Sequence, residues 1–274
     1  MQTRLLSSFV YAGVVLAALV AGGWAWGALI AVAAMIGARE VYSLARAGGH
    51  RPASAVGLVL APVAVLGAAW PGLAWAHPWL AVGLMSAFLA QVARPARARS
   101  VEDWAWTMAG MLYPATLLGY LVLLRSLPGA HGLAWTLLLL SLMWTNDSLA
   151  YLAGRVFGRR PLFPSLSPKK TVEGAVGGFA GSIAIGLAAP AIAAAVGGVL
   201  APLAGVDPLA LAVVGAVAGV VGPAGDLSES FLKRQAGVKD SGDLIPGHGG
   251  VLDRVDSTIF AAPVVYYAAL WLGR

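Results

Sequence analysis

A chain of 274 residues that is 59% hydrophobic and 11% charged, with mean hydropathy +0.80, has too few polar side chains to clothe a water-facing surface; soluble domains carry about 25% charged residues. This excludes an ordinary soluble domain and places the chain among polytopic membrane proteins. With no cysteine there can be no disulfide or thiolate metal site. The net charge of +6 is dispersed between apolar stretches without an aromatic-interleaved basic face, which argues for loops on an anionic leaflet and against nucleic acid as a partner.

Apolar windows long enough to cross a bilayer, about 20 residues, fall at 5–22, 24–46, 55–73, 78–93, 104–124, 132–154, 174–198, 208–224 and 257–272. The first has the basic start, apolar run and small terminal residues of a signal peptide. Further spans follow at once, so it is read as a retained transmembrane helix. The expected fold is an all-α polytopic integral membrane protein of about nine transmembrane helices. Pro62, Pro114, Pro190 and Pro263 lie inside windows, where packed neighbours can satisfy the freed carbonyls. With the N-terminus in the cytoplasm and the C-terminus outside, all of the 18 Lys and Arg residues except Arg125 and Arg274 fall on the inner side. Residues 1–100 hold one acid, Glu40, and read as scaffold helices; residues 101–274 hold the other acids and read as the catalytic region.

Three polar segments interrupt the apolar pattern. In the sixth window Asn146 and Asp147 sit near the cytoplasmic end, with Tyr151 one turn further on. An ionisable group there costs about 2.5–3.5 kcal/mol on insertion scales, so the pair either clasps neighbouring helices or lines a polar cavity. Before the seventh window, Ser167, Lys169, Lys170, Thr171 and Glu173 crowd a helix start. Ser167 or Thr171 can cap it and the lysines can hold phosphate, or Lys169 and Glu173 can form an i,i+4 pair.

The third segment follows the eighth window, which is expected to run on past Pro223. Asp226, Glu229, Ser230 and Lys233 share one helical face there, either as part of a site or as a solvated extension. Next come Arg234, Lys239, a turn with His248, Gly249 and Gly250, then Asp253, Arg254 and Asp256. Asp253 and Asp256 stand one turn apart and repel unless a cation sits near them. Oxygen ligands without a His/Cys cluster favour Mg²⁺ or a similar hard ion. The glycines allow an anion-binding turn, and His248 can serve as ligand, acid/base group or strut. Carboxylates, lysines, arginines and a glycine turn are the parts for phosphoryl or nucleotidyl transfer.

The segment SFLKRQAGVKDSGDLIPGHGGVLDRVD, from Ser230 to Asp256, resembles the signature of the phosphatidate cytidylyltransferase (CDP-diacylglycerol synthase) family. NDSLAYLAGRVFGRR and SPKKTVEG resemble that family's upstream segments, so the likeness covers 144–174 and 225–257. It implies a Mg²⁺-dependent nucleotidyltransferase in phospholipid biosynthesis. The enzyme would join CTP to phosphatidate at the cytoplasmic face of the cell's inner membrane, giving CDP-diacylglycerol and pyrophosphate. Asp226, Asp253 and Asp256 would be metal ligands, directly or through water. Lys239 and Arg254, with Lys169 and Lys170, would meet phosphates. Asn146, Asp147, Ser167, Thr171, Glu173, Lys233, Arg234, His248, Gly249 and Gly250 would complete the substrate-binding set. A second cation, monovalent or divalent, and a homodimer are left open. Two other readings are a CTP-dependent lipid kinase, which would release CDP, and an ion-coupled transporter, which would be expected to show two related halves with broken helices; no internal repeat is found.

Overall fold

A computed structural model describes residues 13–68, 76–242 and 249–273. It is that of an all-α membrane protein, 81% helical, and five of its helices are long and apolar enough to cross a bilayer. In chain order the helices are α1 (residues 13–21), α2 (Gly23–Ala47), α3 (Ser54–Ala68), α4 (Ala76–Val92), α5 (Val101–Arg125) and α6 (His131–Phe157). After a two-stranded hairpin come α7 (Val172–Val196), the single turn α8 (Ala201–Ala204), α9 (Pro208–Gln235) and α10 (Leu252–Leu272). The five long apolar helices are α2, α5, α7, α9 and α10. Each apolar window of the sequence coincides with a helix; residues 5–12 and 69–73 of the first and third windows lie outside the described residues. As expected, α9 continues through Pro223 to Gln235. The corner between α1 and α2 is turned by Gly22 and Gly23 at φ 64° and 47°, a left-handed conformation that suits glycine.

The hairpin is an addition to the helical expectation. β1 (Pro161–Phe163) and β2 (Ser167–Thr171) pair antiparallel, Pro161 opposite Thr171 and Phe163 opposite Ser167. Strands of 3 and 5 residues, mostly exposed, carry too little alternation to announce themselves in sequence. Thr171 ends β2 and caps α7: its Oγ1 accepts a hydrogen bond from the Gly174 N–H at 3.1 Å. The hairpin therefore delivers Ser167, Lys169 and Lys170 to the positive end of that helix.

Backbone packing divides the chain into two units, Met1–Leu123 with Leu232–Val255, and Leu124–Phe231 with Asp256–Arg274. In the first, Tyr42 of α2 is fully buried and its hydroxyl donates to the Thr107 carbonyl of α5 at 2.9 Å. Two glycines make room for the ring. A Cβ at Gly57 of α3 would collide with the Tyr42 hydroxyl, and one at Gly110 of α5 with the ring edge. The turn from α2 into α3 is keyed to α5 by Asp103, whose carboxylate accepts from the Arg51 N–H and from Arg94 Nη1, both at 2.7 Å.

In the second unit small residues bring backbones together. A Cβ at Gly177 or Gly178 of α7 would come within 2.5 Å of Ala153 or 2.8 Å of the Asn146 carbonyl on α6. Gly186 of α7 backs onto the Leu211 carbonyl of α9, and Gly215 of α9 onto the Ser182 carbonyl of α7. Gly225 of α9 backs onto the Asp256 carbonyl of α10. Such small-residue seams are how helices associate where lipid removes the hydrophobic drive. They fix α6, α7, α9 and α10 at distances that leave little slack for the polar residues between them.

The Tyr42 seat yields a discriminating prediction. Overpacking costs about 1–3 kcal/mol, so Gly57→Ala and Gly110→Ala should each lower the unfolding temperature in detergent by several degrees. Tyr42→Phe removes the atom that Gly57→Ala strikes first but not the ring edge. It should partly rescue Gly57→Ala and leave Gly110→Ala unrescued. Thermal unfolding of the three single and two double variants beside wild type checks this; equal rescue of both would contradict the packing described.

Candidate active site

A cavity of about 540 Å³ lies within the second unit, where α6, the hairpin, the start of α7 and the middle of α9 meet. Its acids are Asp147 from α6 and Asp226 from α9. Its bases are Arg155 from α6 with Lys169 and Lys170 from β2. Ser167, Thr171 and Tyr151 add hydroxyl-bearing side chains to the wall. Lys170 Nζ forms an ion pair with Asp226 Oδ2. Ser230, one turn on from Asp226, places its Oγ 3.4 Å from Oδ1. Both members of the ion pair are about a third exposed, at 30% and 32%, so water screens it and an incoming charged ligand can compete for either partner.

Asn146 and Asp147 divide between the two roles that sequence left open. Consecutive residues on a helix point about 100° apart. Asn146 is 2% exposed, and its amide donates to Ser182 Oγ of α7 at 3.0 Å and to the Gly219 carbonyl of α9 at 3.2 Å. It is the clasp, although it also touches the cavity wall. Asp147 faces the cavity alongside Asp226. Glu173 is not placed by a Lys169 pair: its Oε2 accepts from the backbone N–H groups of Arg159 and Arg160 at 3.0 and 3.3 Å. It pins the turn that feeds the hairpin. Glu229 is fully buried and Ser230 is 8% exposed, so this face of α9 is not a solvated one.

The signature segment forms a second charged cluster, within the first unit. Asp253 Oδ1 accepts from Lys233 Nζ at 2.6 Å. Its Oδ2 accepts from the Ser241 N–H at 3.0 Å, the Ser241 hydroxyl at 2.8 Å and the Gly250 N–H at 2.8 Å. Gly249 stands at φ +82° with its Cβ position only 2.6 Å from Asp253 Oδ2, a site open to glycine alone. Arg234 Nη1 donates to the Val238 carbonyl at 3.2 Å, while Lys239 and Arg254 are exposed. Asp256 belongs to the second unit, on α10 beside Gly225, and its Oδ1 accepts from the Ser257 N–H at 2.7 Å. His248 lies outside the described residues.

Sequence reasoning missed Glu40. This acid of α2, 5% exposed, accepts from the Val251 N–H at 2.8 Å, the Leu252 N–H at 2.9 Å and the Ser241 hydroxyl at 3.3 Å. It satisfies the open N–H groups at the start of α10. Its partners are some two hundred residues away, so no local spacing could have found them. The available signal was its isolation as an acid deep in an apolar window.

Oxygen donors predominate in both clusters, the chemistry that suits a hard cation such as Mg²⁺. Asp147 and Asp226 share a cavity with room for water and phosphate, and a hard cation held by one or two carboxylates fits there. Asp253 is differently placed, with four donors already on its oxygens. Among the described residues no group of three or more His, Asp or Glu side chains is set to hold a metal by itself.

The model of the cytidylyltransferase family matches residues 2–272. A phosphatidate cytidylyltransferase of Synechocystis sp. is 35% identical over 98% of this chain and 96% of its own length. Another of that name, from Brucella abortus, is 43% identical over 61% of this chain and 59% of its own. The Bacillus subtilis phosphatidate cytidylyltransferase is 39% identical over 57% and 54%. With the match running almost end to end, this chain belongs to the cytidylyltransferase family.

Proposed function

We propose that the protein transfers the cytidylyl group of CTP to phosphatidate, forming CDP-diacylglycerol and releasing pyrophosphate. The observation that carries this reading is the cavity holding Lys169, Lys170, Asp147 and Asp226 at the capped start of α7, in a chain whose relatives bear that enzyme's name. The same names do not favour the lipid-kinase or transporter readings.

An oxygen of the phosphatidate monoester attacks the α-phosphorus of CTP, and the bond from that phosphorus to the bridging oxygen of the β-phosphate breaks. The electron pair leaves with pyrophosphate. A phosphate monoester is largely dianionic at pH 7, its second pKa being about 6, so no side chain has to remove a proton. The barrier is the meeting of two anions, and the protein's part is to neutralise and align them. Lys169, Lys170 and the N-terminal amides of α7 hold phosphate oxygens. Phosphate competes with Asp226 for Lys170, and the carboxylate so released becomes free to hold a cation. Mg²⁺, when bound, would supply charge neutralisation on the nucleotide phosphates; within the second unit Asp226 and Asp256 are its proposed ligands, directly or through water, and for Asp253 that role rests on the signature alone. Lys239 and Arg254, both exposed, are assigned to phosphate on the strength of the signature. Arg234, Gly249 and Gly250 are assigned to shaping that segment. Glu173 acts through the turn it pins.

We further read the nine helices that coincide with apolar windows as nine crossings, N-terminus inside, in the cytoplasmic membrane. The distribution of Lys and Arg supports it.

Two tests follow. Asp226→Asn and Lys170→Met should each lower kcat for pyrophosphate release at least a hundredfold, the scale of removing one electrostatic contact to the transition state. EDTA should abolish wild-type turnover and excess Mg²⁺ restore it. Full activity in both folded variants would remove the reaction from this cavity. For topology, the absence of cysteine gives a clean background. Single cysteines at Arg97 and Gly129 should react with impermeant maleimide from the inner and outer face respectively; the reverse pattern would overturn the orientation.

A further inference from the structure

A second cavity, of about 410 Å³, lies wholly within the first unit, between the end of α4 and the start of α5, lined by Phe88, Gln91, Arg99, Ser100, Val101 and Trp104. None of these residues is assigned to the reaction above. One wall is apolar: Phe88 and Trp104 stack with centroids 4.9 Å apart and planes inclined at 27°, and Val101 is 75% exposed beside them. The other wall carries charge. Arg99 donates from Nε to the Arg94 carbonyl and from Nη2 to the Val92 carbonyl, each at 3.1 Å. Arg99 is exposed, and these bonds orient its guanidinium without neutralising it; among the described residues no carboxylate pairs with it. Neighbouring Arg94, by contrast, meets Asp103 at 2.7 Å. The nearby Glu102 is exposed and takes the Ser100 hydroxyl at 2.6 Å.

Two of the lining residues, Gln91 and Trp104, also carry nitrogen donors that are buried. Gln91 is 8% exposed. Its oxygen accepts from the Ser100 N–H at 3.3 Å and lies 3.5 Å from Arg94 Nη1, which fixes which end of the amide is oxygen. Its Nε2 is then buried with no acceptor among the described residues, and so is Nε1 of Trp104. Buried donors without acceptors are few in native proteins and call for an explanation, such as a missing ligand. Here two of them belong to residues that line one cavity, beside an uncompensated guanidinium. The complement is an anionic group rich in acceptor oxygens joined to an apolar body. For a chain embedded in lipid, that describes an anionic phospholipid, and basic pockets between membrane helices are a recurrent way of holding such head groups.

We infer that this cavity binds the phosphodiester head group of an anionic bilayer phospholipid, with Arg99, Gln91 and Trp104 directed to the phosphate and an acyl chain lying along Phe88 and Trp104. The site is independent of the catalytic reading, since its occupant is a phosphodiester that need not react. It gives the protein a means of sensing or retaining the anionic lipid around it.

The test uses the full-length protein in zwitterionic detergent, titrated with phosphatidylglycerol or phosphatidylcholine and read by native mass spectrometry. Wild type should retain one phosphatidylglycerol about tenfold more tightly than phosphatidylcholine. Arg99→Gln should abolish most of that preference, about a tenfold loss, as expected for charge-assisted hydrogen bonds. Trp104→Phe keeps the stacked ring and deletes only the N–H, and should weaken retention severalfold; it decides the matter if Arg99→Gln fails to fold. Equal retention of the two lipids, wild-type retention in the folded variants, or displacement of the lipid by an excess of inorganic phosphate would each overturn the inference.

Discussion

A carboxylate inside an apolar helical bundle has to be met by donors or by a cation, because the unmatched charge is far too costly to bury. Much of the polar architecture of this chain follows from that constraint. Glu40 collects two backbone N–H groups and a hydroxyl at the start of α10. Asp253 collects Lys233, Ser241 and Gly250. Asp103 collects Arg94 and the Arg51 amide. In each case the acid organises backbone that would otherwise be loop, and it does so by giving that backbone's donors a single fixed acceptor. Removing one such acid would leave several buried donors unmade, each at about 1–3 kcal/mol.

The cavity of the second unit is the exception that points to function. Asp147 and Asp226 share it with each other as well as with Lys170. Two acids among three basic side chains in one partly open cavity offer charged contacts that an incoming phosphate and a cation could take over. The Lys170–Asp226 pair can be exchanged for phosphate on one partner and cation on the other with little net change in charge. Glycine seams between α6, α7 and α9 would hold the geometry during such an exchange, since backbones in contact cannot drift as side chains trade partners.

Much of this was legible in the sequence. The nine apolar windows each landed on a helix, the run of α9 past Pro223 was readable from its periodic polar face, and Thr171 was one of the two caps proposed for α7. Four features were not. The hairpin was hidden because its strands are too short to show alternation. The burial of Glu229 was hidden because a helical face can be read from spacing whereas its surroundings cannot. The split of Asn146 from Asp147 depends on which neighbouring helix each meets. Glu40 answers to residues near the other end of the chain, and only the folded structure brings them together.

The most direct test of the central claim follows both ends of the nucleotide. Purified protein in phosphatidate-containing micelles with Mg²⁺ would be given CTP labelled on the α-phosphate in one sample and on the γ-phosphate in another. The account predicts that α-label enters the lipid phase and γ-label appears in pyrophosphate. Entry of γ-label into lipid with release of CDP would make the protein a kinase and contradict the account.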